Sequence, residues 1–254
     1  MFDRKTTTIL AATALAAAVA FVAAGPSQGS ASLPITACGQ WATTNAVLMQ
    51  DLDCAGFGIG VGASGITIDL KDHTVKGNGT GAGVYNPNGY DHVTTRNGVL
   101  RNFNVGIRFW NADYAKVSDV VVSGNTQEGL AIDGNHASIT SSTASANGNT
   151  GFIVTGESAG VASSTAAGNS IYGVSVNGGG ASVKSSTVSG NGWAGVSIHG
   201  DAAKIKGNRV SGNGFAPADG SGPGISVVAT IAPVGSNVAH GNDDAGECHP
   251  ASLC

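Results

Sequence analysis

Charged side chains make up only 11% of this 254-residue chain and aromatic ones 6%, and it has two methionines. Each shortage excludes something. Without Asp3, Arg4 and Lys5 the count is 10 basic and 15 acidic residues, a net charge near −5. That balance gives no footing for a nucleic-acid partner. No apolar run beyond the first two dozen residues approaches the roughly 20 residues of a membrane span. The four cysteines contain no CxxC spacing, which argues against a zinc site, and no metal or other cofactor is expected. No GGxGxD motif is present, so a calcium-binding nonapeptide coil is excluded.

What the chain does have is glycine, 40 residues of it, and a strict repeat. Asn125, Asn147, Asn169, Asn191 and Asn213 recur every 22 residues. Gly129, Gly151, Gly173 and Gly195 follow the first four, each opening a G-apolar-x-apolar run. Val117, Ile139, Val161, Val183 and Ile205 precede the five asparagines by eight residues. Such a period belongs to a solenoid, whose coils bury their apolar faces only against each other. Within each copy, apolar and small polar residues alternate between Gly and Asn, which marks short strands and turns rather than helices. A leucine-rich repeat needs several leucines per copy, and these copies carry Val, Ile and Ala instead. The asparagines are expected to stack inside one turn, each amide pairing with the next.

A 22-residue coil of short parallel strands resembles the right-handed parallel β-helix of the pectin-lyase-like superfamily. Ile66-Thr-Ile-Asp-Leu-Lys-Asp-His-Thr-Val-Lys-Gly77 is similar to the opening segment of secreted β-helix repeat proteins, with Asp72 where glycine is usual. Less regular coils have anchors at Gly83 and Gly106, and one more returns at Gly224 after an insertion at Phe215 to Pro223. The resemblance implies an all-β fold over residues 58–235. It says little about activity, because that superfamily holds lyases, hydrolases, epimerases and non-catalytic members.

The ends read differently. Arg4 and Lys5 followed by an alanine-rich stretch predict a signal peptide over residues 1–24, cleaved after Val22-Ala23-Ala24 or Gly29-Ser30-Ala31, and hence a secreted protein. A retained anchor is the alternative. Residues 25–57 and 236–254 are expected to cap the solenoid. Cys38 and Cys54 lie in the first cap, Cys248 and Cys254 in the second, and local pairing would clamp each end against fraying. A monomer is expected.

Candidate binding residues come from alternation on the strand after each anchor glycine. It sends outward Tyr85, Arg108 with Trp110, Ala131 with Asp133, Ile153 with Thr155, Ser175 with Asn177, and Ser197 with His199. In the superfamily this face commonly binds glycans. Arg108 could orient a uronate and Trp110 stack on a sugar ring; the plainer alternative is a solvated arginine beside a packed tryptophan. Asp133 is the one acid in these columns, and His199 lies three coils away, roughly 14 Å, too far for a concerted pair. Asp91 and His92 read as solvated turn residues. Lys184 and Lys206 share an outward position on adjacent coils, with Lys204 and Arg209 close by, a pattern that suits an anionic polymer. Asp243, Asp244, Glu247, His240 and His249 match no known metal-ligand spacing.

No compact acid–base cluster emerges. The leading expectation is therefore a secreted β-helix that recognises extracellular or envelope polysaccharide. A lyase or epimerase of the same superfamily is the rival. A non-catalytic surface protein, or a helper in extracytoplasmic metalloprotein assembly, is the third reading.

Overall fold

A computed structural model describes residues 32–214, 224–228, 236–242 and 247–254. Among them every strand pairs in parallel, in one sheet of sixteen strands and another of ten. Helix is confined to one 3-10 turn, Ala251–Leu253. The expected signal segment and the insertion at 215–223 lie outside the described residues, and so do Asp243 and Asp244.

One coil shows how the repeat folds. Leu130–Asp133 lies in the ten-stranded sheet, and Ser138–Thr140 and Thr143–Ser145 lie in the other. The next coil then begins at Phe152–Thr155. Every residue pairs with the one 22 positions on, as in Leu130 with Phe152, Ile139 with Val161 and Ala144 with Ala166. A β-strand sends alternate side chains to opposite faces, so Leu130, Ile132, Ile139 and Ala144 turn inward and are buried. Burying each Val, Ile or Leu contributes roughly 1.5–3 kcal/mol, and the stack extends that core along the axis. Parallel connections of this kind are right-handed.

Three bends per coil turn the chain, and each uses a left-handed residue. One column is Asn102, Gly124, Ala146, Gly168, Gly190 and Gly212; a second is Asp72, Asn97, Asp119, Ser141, Ser163, Ser185 and Gly207; a third is Gly65, His92, Tyr114, His136, Ser158, Gly180 and Ala202. Asp72 sits there at φ 62°, which accounts for the glycine of similar segments. The anchor glycines answer a different need. A Cβ on Gly83, Gly129, Gly151 or Gly195 would lie within 3.0 Å of the next anchor's carbonyl oxygen, so close coil stacking admits no side chain.

The five asparagines are buried and bonded in series. The Nδ2 of Asn125, Asn147, Asn169 and Asn191 each donates to Oδ1 of the next, at 2.8–2.9 Å. Backbone N–H groups donate to the same oxygens. Asn213 passes the series to Asn242 at 2.7 Å, and Glu247 accepts from that last amide, also at 2.7 Å. A second series occupies the next bend. Ser142, Ser164 and Ser186 accept from backbone N–H groups one coil back, and Asn208 then Asn237 continue the column. In the third bend, Asp91, Asp113 and Asn135 take the equivalent part.

Both sheets begin within the residues expected to form the first cap, at Leu33–Ile35 and Gln40–Ala42. Cys38 is joined to Cys54 and Cys248 to Cys254, so each disulfide lies at one end of the stack.

Candidate functional site

The outer face of the ten-stranded sheet gathers the unusual side chains. Register aligns Trp41, Gly60, Tyr85, Arg108, Ala131, Ile153, Ser175 and Ser197 in one outward column. Asp133, Thr155, Asn177 and His199 lie in the column two residues further on, and Trp110 follows the end of the strand Val105–Phe109. Because Gly60 has no side chain, the Trp41 indole lies over it; a Cβ there would come within 3.0 Å of the ring. Phe57 meets Trp41 edge-on at 5.5 Å and Tyr85 at 6.3 Å between ring centres.

Arg108 is neither free nor simply solvated. Its guanidinium donates to Glu128 Oε2 at 2.9 Å and lies 5.0 Å from the centre of the Trp110 ring. Glu128 accepts at its other oxygen from the Asn149 side chain at 3.3 Å. Both carboxylate oxygens are therefore committed as acceptors. Two hollows flank Arg108. One, of about 300 Å³, is lined by Phe57, Gly81, Ala82, Tyr85, Asn104 and Val105 with Arg108 itself. The smaller, about 90 Å³, lies among Trp110, Ala131, Asp133, Ile153 and Thr155. With Arg108, Glu128 and Asp133 the pair of hollows is close to neutral, with one negative charge in excess.

Some outward expectations need correction. Ser175 and Ser197 are buried, at 6% and 3% exposure, although their register points them out. Asp91 is a turn acceptor rather than a solvated acid: its carboxylate receives the Asp113 N–H at 2.8 Å. His92 stacks on Tyr114, and Tyr114 on His136, each at 4.7 Å, the spacing of the coils. His199 is exposed and sits three strand spacings from Asp133, so the two do not meet. Sequence reading missed Glu128 and the serine column. The serines recur at 22 residues as plainly as the asparagines and were legible; Glu128 occurs once and had no pattern to betray it.

Lys184 and Lys206 pair across adjacent strands of the sixteen-stranded sheet, on another face from Arg108. Both are exposed, as are Lys204 and Arg209. Among the described residues none of the four is ion-paired, and from Ser138 onward no carboxylate occupies an outward strand position on this sheet.

At the other end of the molecule, Asp69 is buried. Burial would raise its pKa, but the Lys71 N–H, the Asn97 amide and the Arg96 guanidinium hold it below the usual carboxylate range. Glu247 is also lowered, first by the Asn242 amide, against the pull of desolvation, then by the Asn242 and Gly241 N–H groups. Asp51 is lowered by the Thr74 N–H and by His73. These bonds close turns and ends. As for metal donors, all described cysteines are in disulfides, His92 and His136 are separated by the Tyr114 ring, and Met49 is exposed. No three His, Cys, Asp or Glu side chains converge among the described residues.

Solved structures share this architecture. The A-module of mannuronan C-5 epimerase AlgE6 from Azotobacter vinelandii superposes with a TM-score of 0.58 at 17% identity, covering 76% of this chain and 60% of that one. The AlgE4 A-module from the same organism gives 0.51 at 14%, over 76% and 61%. The Agl-KA catalytic domain gives 0.54 at 10%, over 78% and 47%. This chain thus spans about three fifths of the epimerase modules, and the likeness at such identities is one of fold. No curated protein matches by sequence. Residues 44–231, 188 of the 254, match the family described as periplasmic copper-binding protein (NosD), and the chain belongs to that family.

Proposed function

We propose that this protein is an extracytoplasmic β-helix that recognises polysaccharide on its ten-stranded sheet. The observation that carries the reading is the Arg108 arrangement. A guanidinium pinned by Glu128 and laid over Trp110 stands between two hollows, one of them walled by Phe57 and Tyr85. Aromatic faces take the apolar side of a sugar ring, and a few fixed donors and acceptors read its hydroxyls. Because Glu128 already neutralises Arg108 and Asp133 adds a negative charge, this face suits neutral sugars better than uronates. The extracytoplasmic setting is supported by the two disulfides and by the periplasmic family.

Titration of the mature protein with neutral and acidic oligosaccharides tests the reading. Trp110→Ala and Arg108→Ala should each weaken binding about tenfold while leaving the unfolding midpoint in place. Binding untouched by either change would remove the site from this face. Formation of unsaturated uronates or C-5 inversion would favour the lyase or epimerase rival.

The anionic part of the expectation has a separate footing. Lys184, Lys204, Lys206 and Arg209 form a basic surface with no ion pair among the described residues, with Lys184 and Lys206 about 4.8 Å apart across the strands. A polyuronate would bind there through salt-sensitive contacts. The double change Lys184→Ala and Lys206→Ala should lower retention on polyuronate at low salt and spare the neutral sugars. Equal retention by both proteins would remove this surface.

The family description names copper. Copper(I) favours thiolate and thioether donors and copper(II) imidazole, and the described residues bring no such set together. No step is therefore drawn through that metal.

A further inference from the structure

We propose that a second binding site, on the sixteen-stranded sheet near the start of the solenoid, takes a small hydroxylated carboxylate of the kind a uronic acid residue presents. It lies on a different sheet from the Arg108 face and does not depend on the reading given for that face. The site is a hollow of about 290 Å³ lined by Asp51, Leu52, Asp53, Thr74, Lys76 and Arg101. Only 11% of the chain is charged, so four charged side chains around one hollow are a concentration. They come from three successive coils of the irregular stretch, where no fixed spacing announces them.

Register explains how they meet. Leu52, Val75 and Leu100 turn inward and are buried, so their neighbours Asp53, Lys76 and Arg101 turn outward in one column across adjacent strands. The Lys76 ammonium meets the Asp53 carboxylate at 2.8 Å. Arg101 follows in the column, with Lys76 on one side and Ser123 on the other. Among the described residues Arg101 has no ion pair and no side-chain hydrogen bond. Like charges side by side on adjacent strands repel unless a counter-charge relieves them. The row reads acid, base, base, and a carboxylate on Arg101 completes it. A planar guanidinium fork fits both oxygens of one carboxylate, which an ammonium does not.

The acids supply the rest of the selection. Asp51 Oδ1 accepts the Thr74 N–H at 2.9 Å and meets the His73 Nδ1 at 3.2 Å. The Thr74 N–H first, then His73, and more weakly the Arg101 charge hold the Asp51 carboxyl below the usual carboxylate range, against desolvation. Asp51 Oδ2 and Asp53 Oδ1 have no partner among the described residues. Two open acceptors beside one open donor fork match a ligand that carries hydroxyls and a single negative charge. A neutral sugar would leave Arg101 unmatched, and a dianion such as phosphate would lie against both acids. The Lys184 and Lys206 surface is four coils away, about 19 Å, and has no carboxylate at its outward strand positions. It attracts anions without this selection.

The test is titration of the protein with glucuronate, galacturonate and mannuronate, with the matching neutral sugars, and with acetate and inorganic phosphate, read by calorimetry and by amide chemical shifts. One uronate should bind about tenfold more tightly than acetate, phosphate or its own neutral sugar, with shifts centred on residues 51–53, 74–76 and 101. Arg101→Ala should abolish the preference over the neutral sugar, and Arg101→Lys, which keeps the charge without the fork, should restore only a small part of it. Asp53→Ala should shrink the preference for uronate over acetate, because it removes an acceptor for hydroxyls. Both positions are exposed, so the unfolding midpoint should stay in place. Lys184→Ala combined with Lys206→Ala should change none of these values. Equal affinity for uronate, acetate and phosphate, uronate binding that survives Arg101→Ala, or an absence of shifts at these residues overturns the site. None of those outcomes touches the Arg108 face, which is tested by the neutral oligosaccharides.

Discussion

The stretch from Ala115 to Gly214 and the stretch from Ser32 to Asn111 are built from the same coil but secured differently. The later coils are held by uncharged ladders, an asparagine column in one bend and a serine column in the next. Their core is mostly Val, Ala and Ile. The earlier coils use larger buried groups, Leu48, Leu70, Leu100, Phe103 and Phe109, and a disulfide. All four Lys and Arg ion pairs among the described residues, and the His73–Asp51 hydrogen bond, fall between Asp51 and Glu128. Two of the three exposed tryptophans and both hollows around Arg108 also lie toward this end. A ladder works only if neighbouring coils repeat one another, so it leaves no room for a unique residue. Chemistry has collected where the repeat is loose.

The largest effect should come from breaking a ladder in the regular stretch. Asn169 donates to Asn191 and to the Ala144 carbonyl, and its oxygen accepts from the Asn147 backbone and side chain. Asn169→Leu strands several buried partners, each costing about 1–3 kcal/mol, so a loss of at least ~3 kcal/mol is expected by denaturant unfolding. Asn104→Leu is the contrast. Its amide meets only an exposed Thr126 hydroxyl, and the change should cost less than about 1 kcal/mol. Equal costs would erase the distinction between the two stretches.

Next comes the clamp on the looser end. Replacing Cys38 and Cys54 by serine opens a loop of 16 residues in sequence, which chain entropy values at about 3 kcal/mol. Hydrogen exchange should rise in the first coils and fade toward residue 115. A uniform rise would mean that the stack unfolds as one unit and that its halves are not separable.

Acid should act on the ends before the middle. Asp69 and Glu247 have lowered pKa values in the folded protein, so their contribution is complete above the ordinary carboxylate pKa. It is lost as pH falls through the lower folded values, in the range below about pH 4. The amide and serine ladders of the middle coils do not titrate. Exchange measured from pH 5 down to 2 should therefore show protection lost first around Asp69 and around Asn242. Glu247→Gln should remove the acid response of the second region, and early loss at Asn147 to Asn191 would contradict the scheme.

The smallest effect sharpens the comparison from the other side. Ala146 holds a left-handed bend position, φ 53°, where Gly124, Gly168, Gly190 and Gly212 stand in the neighbouring coils. A Cβ there costs about 1–2 kcal/mol, partly offset by glycine's freedom in the unfolded chain. Ala146→Gly should stabilise by about 0.5 kcal/mol, read as a rise in the unfolding midpoint.

Periodicity made the fold legible. Glycine, asparagine and β-branched residues at 22-residue intervals specify stacked parallel coils because each column meets its own kind one turn away. The same logic would have revealed the Ser142, Ser164 and Ser186 column. It could not reveal Glu128 or the Tyr172–Trp193 stack, which occur once. Alternation also failed at Ser175 and Ser197, since register gives the direction of a side chain but not whether solvent reaches it.

By itself, then, the sequence determined the all-β solenoid, the coil length, the interior asparagine column and which residues point out of each strand. These follow from local period and from the pairing of a column with its copy. Only the tertiary structure decided that Arg108 is matched by Glu128 and laid over Trp110, that Lys184 and Lys206 occupy a separate sheet, and that Trp193 stacks on Tyr172. Those relations join residues that break the repeat, and coil stacking places them together without any signal in their spacing.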